Sequence, residues 1–425
     1  MLLRQAEEGW ELPAVDSDSA WFETGDVAAR LTESLGIDVF VQRCLGGGEN
    51  ESPATDRLYA GCAITDAVSQ DGGRWFGLAD LPPLTGPTAQ ALPRLRAWLA
   101  GDADARDWEQ PGWLGEVEDF VAARLDAPFE LRQLRTWSRS SVWRVSGQGG
   151  SWIFKASPRV YQNEGSIAAV LSCHFPERFP IVLARDEARG WLLMEDLAGA
   201  SLLDCELTWW HAALEAMARV QIQALGELAA IRAAGCPDFG VKQMRRWTDE
   251  FLGPVGPVRA GSIPGLAAPD AAYLLDNATR ISSAWDALGA AGIPDSFEHG
   301  DFRPGHVVIS HGAVRFFDVA DAAISHPFFS AVTMLDFERL PEWAGNSAAD
   351  ARAELSQSYL GPWREAFPHV DVEAVYQATR PLAVMHAALV RWYHLLPAMV
   401  PRRDWEFMVA FWLRKLTEPP QRRFP

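Results

Sequence analysis

The segment from Phe297 to Pro327 carries most of the residues whose types and spacing could do chemistry. Asp301 lies on a predicted turn, two predicted strands follow, and Asp318 stands at the end of the second strand. Phosphoryl transfer needs one carboxylate that orients an attacking hydroxyl and accepts its proton, and others that hold Mg²⁺ against the phosphates. Asp301 and Asp318 match these two requirements.

Two runs within this segment, His299–Asp301 and Asp318–Asp321, resemble the aminoglycoside phosphotransferase family. The catalytic loop of that family reads His-Gly-Asp-x-x-x-x-Asn, and its metal-binding loop reads Asp-Trp-Gly-Asp. The resemblance implies a catalytic motif of His299 and Asp301, with Asp301 as the base and Asp318 as a metal ligand. It implies that Asp321 structures the loop or binds metal secondarily. The implied cofactors are ATP or GTP and Mg²⁺, and the implied partner is a small hydroxylated acceptor such as an aminoglycoside-like antibiotic, a sugar or another metabolite.

One position departs from the pattern, because His306 stands where the family has a metal-binding Asn. An imidazole nitrogen can ligate a divalent ion, but Mg²⁺ prefers oxygen ligands and nitrogen suits softer ions such as Mn²⁺. Three interpretations stay open. His306 is a metal ligand, or it is a hydrogen-bonding residue of the loop while Asp318 holds the metal, or the chain is an impaired pseudokinase with a regulatory or scaffold role.

Upstream of this segment, Lys155 lies on a predicted strand whose other residues are apolar, and Glu164 lies on the helix-compatible segment that follows. A kinase-like fold pairs such a Lys with such a Glu so that the ammonium meets the α- and β-phosphates. This order along the chain predicts that both residues belong to the nucleotide site.

Two further segments are expected to contact the nucleotide. The loop that contains Ser138, Ser140 and Ser141 precedes the predicted hairpin, and its hydroxyls and backbone N–H groups could bind phosphate oxygens, although Gly-x-Gly-x-x-Gly is missing. The strand that ends at Glu195 resembles the family's strand leading into the hinge. The resemblance implies that backbone groups from Glu195 to Leu197 hold the adenine.

The amino-terminal residues resemble a degenerate Nudix fold. Gly73–Pro82 is similar to the late Trp-then-Leu-Pro segment of such domains, and Glu33 and Gly36 fit the end of their catalytic box. In this chain Ser34 replaces the second of the late Glu residues of the box, and the Arg-Glu pair of the box is replaced as well. Metal-assisted hydrolysis needs that acidic cluster to hold Mg²⁺. We therefore expect a structural, substrate-shaping or dimerising role, and a homodimer is one expectation for the assembly.

Composition breaks and periodicity predict how the chain is organised. A polar, turn-rich stretch follows residue 100, strand patterns joined by Gly-Gln-Gly-Gly lie near residue 150, and helical patterns dominate after residue 203. The prediction is an α+β protein in which a two-lobed kinase-like fold follows a small α/β Nudix-like domain. Its segments are residues 1–103 (degenerate Nudix-like domain), 104–125 (linker helix), 126–197 (kinase-like amino-terminal lobe) and 198–425 (helical carboxy-terminal lobe with the catalytic loop).

Charge and composition exclude some classes of partner. The 425-residue chain has a formal net charge of -18 and a pI near 4.9, so its surface repels nucleic-acid phosphates and anionic lipid head groups. The start of the chain reaches charged residues before any apolar run, and the apolar window from 381 to 400 contains charged and His residues, which is typical of a core helix. The five cysteines are scattered, which favours free thiols in a reducing cytoplasm.

Overall fold

The computed structural model describes residues 2–6, 9–20, 23–46, 57–64, 73–77, 79–100, 106–110, 112–125, 128–338, 340–341, 348–399, 402 and 405–417. The strands in this part of the chain are β1 Leu2–Ala6, β2 Gly9–Glu11, β3 Val39–Gly46, β4 Leu58–Ala63, β5 Arg74–Trp75, β6 Phe129–Trp137, β7 Ser140–Gly147, β8 Gly150–Ala156, β9 Val182–Asp186, β10 Trp191–Glu195, β11 Ala200–Ser201, β12 Ser296–Glu298, β13 Val307–Ser310, β14 Ala313–Phe316 and β15 Ala323–Ser325. The α-helices are α1 Thr24–Leu35, α2 Gly86–Leu99, α3 Trp113–Ala122, α4 Glu164–His174, α5 Leu207–Ala224, α6 Leu228–Ala233, α7 Val241–Leu252, α8 Ala268–Asp276, α9 Ala278–Ala290, α10 Phe328–Val332, α11 Ala348–Ala366, α12 Val372–Val390 and α13 Phe407–Thr417. The mixture of helix and sheet confirms the α+β class.

Residue contacts divide the chain into two units. The first unit is Met1–Pro158 with Trp191–Met194, and the second is Arg159–Gly190 with Glu195–Pro425. The four segments expected from the sequence are a different division and stay a prediction, as does the Nudix-like fold of the first of them.

The first unit contains a meander of β6, β7 and β8, with Trp191–Met194 of β10 next in the same sheet. Trp137 pairs with Ser140 and Gly147 pairs with Gly150, so each hairpin closes through a two-residue turn. The Gly-rich turn and the two strands around it were predicted from the sequence, and both are confirmed.

Aromatic side chains form the centre of the first unit. Trp113 on α3 lies 5.7 Å from Phe40 on β3, 6.4 Å from Trp143 on β7 and 6.1 Å from Phe154 on β8, measured between ring centroids. Trp191 on β10 closes the cluster at 6.2 Å from Trp113. Such rings bury large apolar areas. Helix α3 therefore belongs to the core of this unit.

Helix α1 follows its sequence pattern. Val27 and Leu35 are buried, and Leu31 packs beside the small cluster around Val41. Gly36 ends the helix in the left-handed conformation at φ 63°, which glycine adopts without steric cost.

The second unit is mainly helical, as the periodicity after residue 203 predicted. Helix α5 packs on α11, α7 on α9, and α12 on α13. Two π-helical turns, Thr333–Phe337 and Arg391–Leu395, continue α10 and α12 respectively. No helix in the described ranges combines the length and the apolar character needed to cross a bilayer.

Candidate active site

Two strand pairings in the second unit bring the catalytic loop and the metal-binding loop together. β12 pairs antiparallel with β15, with Glu298 opposite Ala323. β13 pairs with β14, with Val307 opposite Phe316. Each pairing places the end of one strand beside the start of the other. The residues after Glu298 and those before Ala323 therefore meet, and both loops are held at both ends.

Gly300 allows the close approach of the two loops. Its φ is +79°, and a Cβ built on it would lie 1.9 Å from the backbone oxygen of Asp321. No side chain fits in that space, and the left-handed backbone favours glycine in any case. The Gly of the His-Gly-Asp motif is thus required by packing at this point.

His299 connects the two loops and does not reach solvent. Its Nε2 lies 3.1 Å from the backbone oxygen of Phe317, the residue before Asp318. A carbonyl oxygen only accepts, so Nε2 carries the proton. Burial, with a smaller contribution from His306, lowers the pKa of His299 to about 4. The burial of His299 and its bond to the opposite loop favour a positioning role, and its assignment to the catalytic motif stays a prediction.

His306 lies between the two carboxylates. Its Nδ1 is 2.9 Å from the backbone oxygen of Asp301, and its Nε2 is 3.5 Å from Oδ2 of Asp318. Because a carbonyl oxygen only accepts, Nδ1 carries a proton, and Nε2 is the ring nitrogen that faces Asp318. Asp301 keeps about 30% of its side chain exposed, as a carboxylate that meets a substrate must.

The donor set fits a divalent cation that also binds phosphates. A lone pair and a carboxylate oxygen that face each other repel unless a proton or a cation lies between them, and a metal-ligating His commonly donates its other N–H to a carbonyl. Among the described residues, no group of three or more His, Cys, Asp or Glu forms a complete metal site. Mg²⁺ needs no such cage, since it is usually bound by one or two carboxylates, water and substrate phosphates.

Asp321 is held by the protein on two sides. Its backbone packs against Gly300, and its Oδ1 lies 3.3 Å from the hydroxyl of Tyr161, which donates to it. Tyr161 is 4% exposed and ends a 3-10 turn, Arg159–Tyr161. Of the two roles implied for Asp321, this geometry favours structuring the loop.

Arg303 is a site residue that the sequence reasoning missed. Its Nε lies 3.5 Å from Oδ2 of Asp301, so the guanidinium adds positive charge beside that carboxylate. The available signal was its position two residues after Asp301 inside the motif. Glu298 and Ser330 were also missed, and no sequence pattern joins two residues 32 positions apart.

Lys155 and Glu164 lie in different units of the structure. Lys155 is on β8 and 6% exposed, and Glu164 is the first residue of α4 and 4% exposed. A buried charged residue needs a partner. Their predicted pairing with each other stays a prediction.

The predicted phosphate loop lies at the hairpin of β6 and β7. Ser138 lies in the two-residue turn between β6 and β7 and is half-buried. The hydroxyl of Ser140 accepts from Nε1 of Trp137 at 3.0 Å, and that of Ser141 accepts from Nε1 of Trp143 at 2.9 Å. Both Ser140 and Ser141 are buried. Their hydroxyl oxygens thus hold the hairpin together, and the binding of phosphate by this loop stays a prediction.

The predicted hinge is corrected at one group. The backbone N–H of Glu195 already donates to the oxygen of Ile181 at 2.8 Å, and its carboxylate pairs with Arg315 at 2.7 Å. The other backbone groups from Glu195 to Leu197, of which Leu197 is half-buried, stay the predicted adenine contacts.

Comparison with known proteins shows which family contains this segment of the chain. The sequence matches the phosphotransferase enzyme family (APH) over residues 130–367, which is more than half of the chain. No curated protein matches the sequence closely enough to be counted as a relative.

Three similar solved structures share 11% to 14% of their sequence with this chain. An ethanolamine kinase from Plasmodium vivax is 11% identical, covering 79% of this chain and 95% of its own, at a TM-score of 0.49. A choline kinase from Cryptosporidium parvum Iowa II is 11% identical, covering 72% and 95%, also at 0.49. A thermostable mutant of an aminoglycoside phosphotransferase, in ternary complex with ADP and hygromycin B, is 14% identical, covering 70% and 98%, at 0.40. Since these scores are all below 0.5, the assignment rests on the sequence match: the chain belongs to the APH phosphotransferase enzyme family.

Proposed function

We propose that this chain is an ATP-dependent kinase that moves the γ-phosphate onto a hydroxyl of a small molecule. The observation that carries the proposal is the pair of carboxylates, Asp301 and Asp318, joined through His306 at the junction of two loops. Family membership supports a phosphotransferase acting on small molecules. The acceptor class, the nucleotide and the metal are the finer parts of the proposal.

Asp301 acts as the base. Its exposed carboxylate orients the acceptor hydroxyl and takes its proton while the hydroxyl oxygen bonds to the γ-phosphorus. The bond from the γ-phosphorus to the bridging oxygen breaks, and ADP leaves with that oxygen. Arg303, beside Asp301, supplies positive charge where the transferred group develops negative charge.

Asp318 and Nε2 of His306 are the groups that would hold a divalent cation, with Asp321 as a secondary candidate. When bound, such a cation neutralises charge on the β- and γ-phosphates. His299 and Gly300 keep the two loops in contact. Lys155 and Glu164 are the candidates for binding the α- and β-phosphates, and the backbone near Leu197 for binding the adenine.

The amino-terminal residues keep their proposed role as a degenerate, non-hydrolytic Nudix-like domain that shapes the structure, the substrate site or a dimer. The aromatic cluster around Trp113 supports the structural alternative, because it joins β3 to the sheet of β7, β8 and β10 in one core. Light scattering of the full chain tests the dimer.

The experiment that tests the proposed function is a screen for nucleoside diphosphate release. The full-length protein is incubated with ATP or GTP, with Mg²⁺ or Mn²⁺, and with single acceptors such as hygromycin B, other aminoglycosides, sugars, ethanolamine and choline. We expect release that needs both an acceptor and a divalent cation, and that stops when EDTA is added. Tight nucleotide binding without transfer to any acceptor would contradict the proposal and favour the pseudokinase alternative.

A further inference from the structure

A buried network of hydrogen bonds lies beside the catalytic loop that follows Glu298, and the proposed mechanism does not use it. Glu298 is the last residue of β12 and 2% exposed, and Ser330, on α10, is fully buried. The Ser330 hydroxyl donates to Oε1 of Glu298 at 3.0 Å. A carboxyl group is rarely found in an interior unless its hydrogen bonds are satisfied and something requires it there.

The Ser330 hydroxyl is saturated with hydrogen bonds. Besides donating to Glu298, it accepts from the backbone N–H of His299 at 3.3 Å and from Nε2 of Gln221 at 3.1 Å. A hydroxyl has one donor and two acceptor positions, so all three are used. Its orientation is therefore fixed by two parts of the second unit, the end of β12 with the residue that follows it, and helix α5.

The hydrogen-bond network extends to two long helices, α5 and α11. Gln221 on α5 also donates to the backbone oxygen of Pro327 at 3.0 Å, and its Oε1 accepts from the hydroxyl of Tyr359 on α11 at 2.5 Å. Both side chains are fully buried. Ser330 is thus anchored to the helical core and cannot move without breaking buried hydrogen bonds.

On its other side the hydrogen-bond network includes the two residues just before Asp301. Ser330 binds the N–H of His299, and the N–H of Gly300 forms a hydrogen bond with the Glu298 carboxyl. These two amides immediately precede Asp301, and the left-handed Gly300 depends on their placement. Burial raises the pKa of Glu298 to about 7, which shows that the group is kept despite a desolvation cost.

We propose that Glu298 and Ser330 are positioning residues that hold the backbone of His299 and Gly300, and through it set the direction of the Asp301 carboxylate. The inference rests on the proposed function, because it assigns these residues to the same reaction. Buried polar networks of this kind contribute little net stability compared with apolar packing, but they specify one arrangement. The expected contribution is therefore to turnover more than to nucleotide binding.

The test compares Glu298→Met, Glu298→Gln and Ser330→Ala with the control Ser356→Ala. Ser356 is also buried, at 6% exposure, but its hydroxyl donates only to its own helix, at the oxygen of Ala353. Each full-length protein is assayed for kcat and for the KM of the nucleotide with one productive acceptor. Hydrogen–deuterium exchange is followed in the peptide that spans residues 296–303.

We expect Glu298→Met and Ser330→Ala to lower kcat by roughly 10- to 100-fold, the range for a misplaced catalytic group, with nucleotide KM changed by less than about threefold. Exchange should rise in the 296–303 peptide and stay unchanged in peptides from α5 and α11. Glu298→Gln keeps an acceptor oxygen, so it should retain kcat within about threefold of wild type, and Ser356→Ala should match wild type.

Two results would overturn the inference. One is unchanged kcat in both variants. The other is hydrogen–deuterium exchange that rises throughout the second unit or does not rise in the 296–303 peptide. Either pattern would mean that the hydrogen-bond network has no local effect on the loop. If the wild-type protein transfers no phosphate to any acceptor, the proposed function fails by itself, and the exchange data still decide whether Glu298 and Ser330 hold the loop.

Discussion

Replacing Gly300 by Ala adds one methyl group where the loop that contains Asp301 meets the loop that contains Asp318 and Asp321. The added Cβ would lie 1.9 Å from the backbone oxygen of Asp321 and 2.3 Å from its carbonyl carbon. An ordinary contact begins near 3.4 Å, so the two loops must separate by about 1.5 Å. The φ of +79° adds a backbone penalty of about 1 kcal/mol or more for a residue other than glycine.

The loss of activity follows from that separation. Asp301 follows Gly300 directly, and Asp318 and Asp321 lie on the loop that is pushed away. Because a misplacement of about 1 Å can cost roughly 100-fold in rate, we expect kcat of Gly300→Ala to fall by about that factor. The assay is the initial rate of ADP release at saturating ATP and acceptor, with thermal unfolding measured in parallel.

Gly305→Ala is the matched control. Gly305 lies on the same loop, its φ is not positive, and a Cβ there meets no atom within 4 Å. It should keep kcat within about threefold of wild type. A folded Gly300→Ala protein that is as active as Gly305→Ala would refute the account of how the two loops are held together.

Three further predictions concern neighbouring features. Folding raises the pKa of Glu298 from 4.5 to about 7. The contribution of Glu298 to the free energy of unfolding is therefore fully present below pH 4.5 and falls by about 3 kcal/mol as the pH rises to 7. The thermal midpoint of Glu298→Gln relative to that of the wild type should rise between pH 5 and pH 8, and a constant difference would contradict this. Because nitrogen ligation favours Mn²⁺, the ratio of turnover with Mn²⁺ to turnover with Mg²⁺ should fall in His306→Asn, and an identical ratio would mean that His306 is not a ligand. The full-length protein carrying Asp301→Asn should release no phosphate or nucleoside monophosphate from nucleoside diphosphate derivatives with Mg²⁺, and hydrolysis that Glu33→Gln abolishes would show an active amino-terminal domain.

The sequence was informative where the chemistry lies within one short segment. Asp301 and Asp318 stood out because a predicted turn and hairpin place them at fixed spacing, and His299 and His306 stood out because the segment resembles the family's motif. The α+β class followed from the periodicity of the apolar residues.

The parts that the sequence did not reveal depend on which groups pair in the folded chain. No sequence pattern indicates that Nε1 of Trp137 and Nε1 of Trp143 donate to the hydroxyls of Ser140 and Ser141, or that the N–H of Glu195 donates to the oxygen of Ile181. His299 looked catalytic because of its motif, but its burial is decided by packing around Phe317. In each case the sequence gives the residue type, and tertiary packing decides what the side chain is free to bind.

The central claim is that Asp301 is the catalytic carboxylate of a phosphotransferase. Asp301→Asn keeps the size of the side chain and removes its ability to accept a proton. With a productive acceptor, we predict that the variant binds ATP with nearly unchanged affinity while kcat falls by roughly two to four orders of magnitude, the range for lost general-base catalysis. Phosphorylated acceptor formed by Asp301→Asn at a rate close to that of the wild type would contradict the claim.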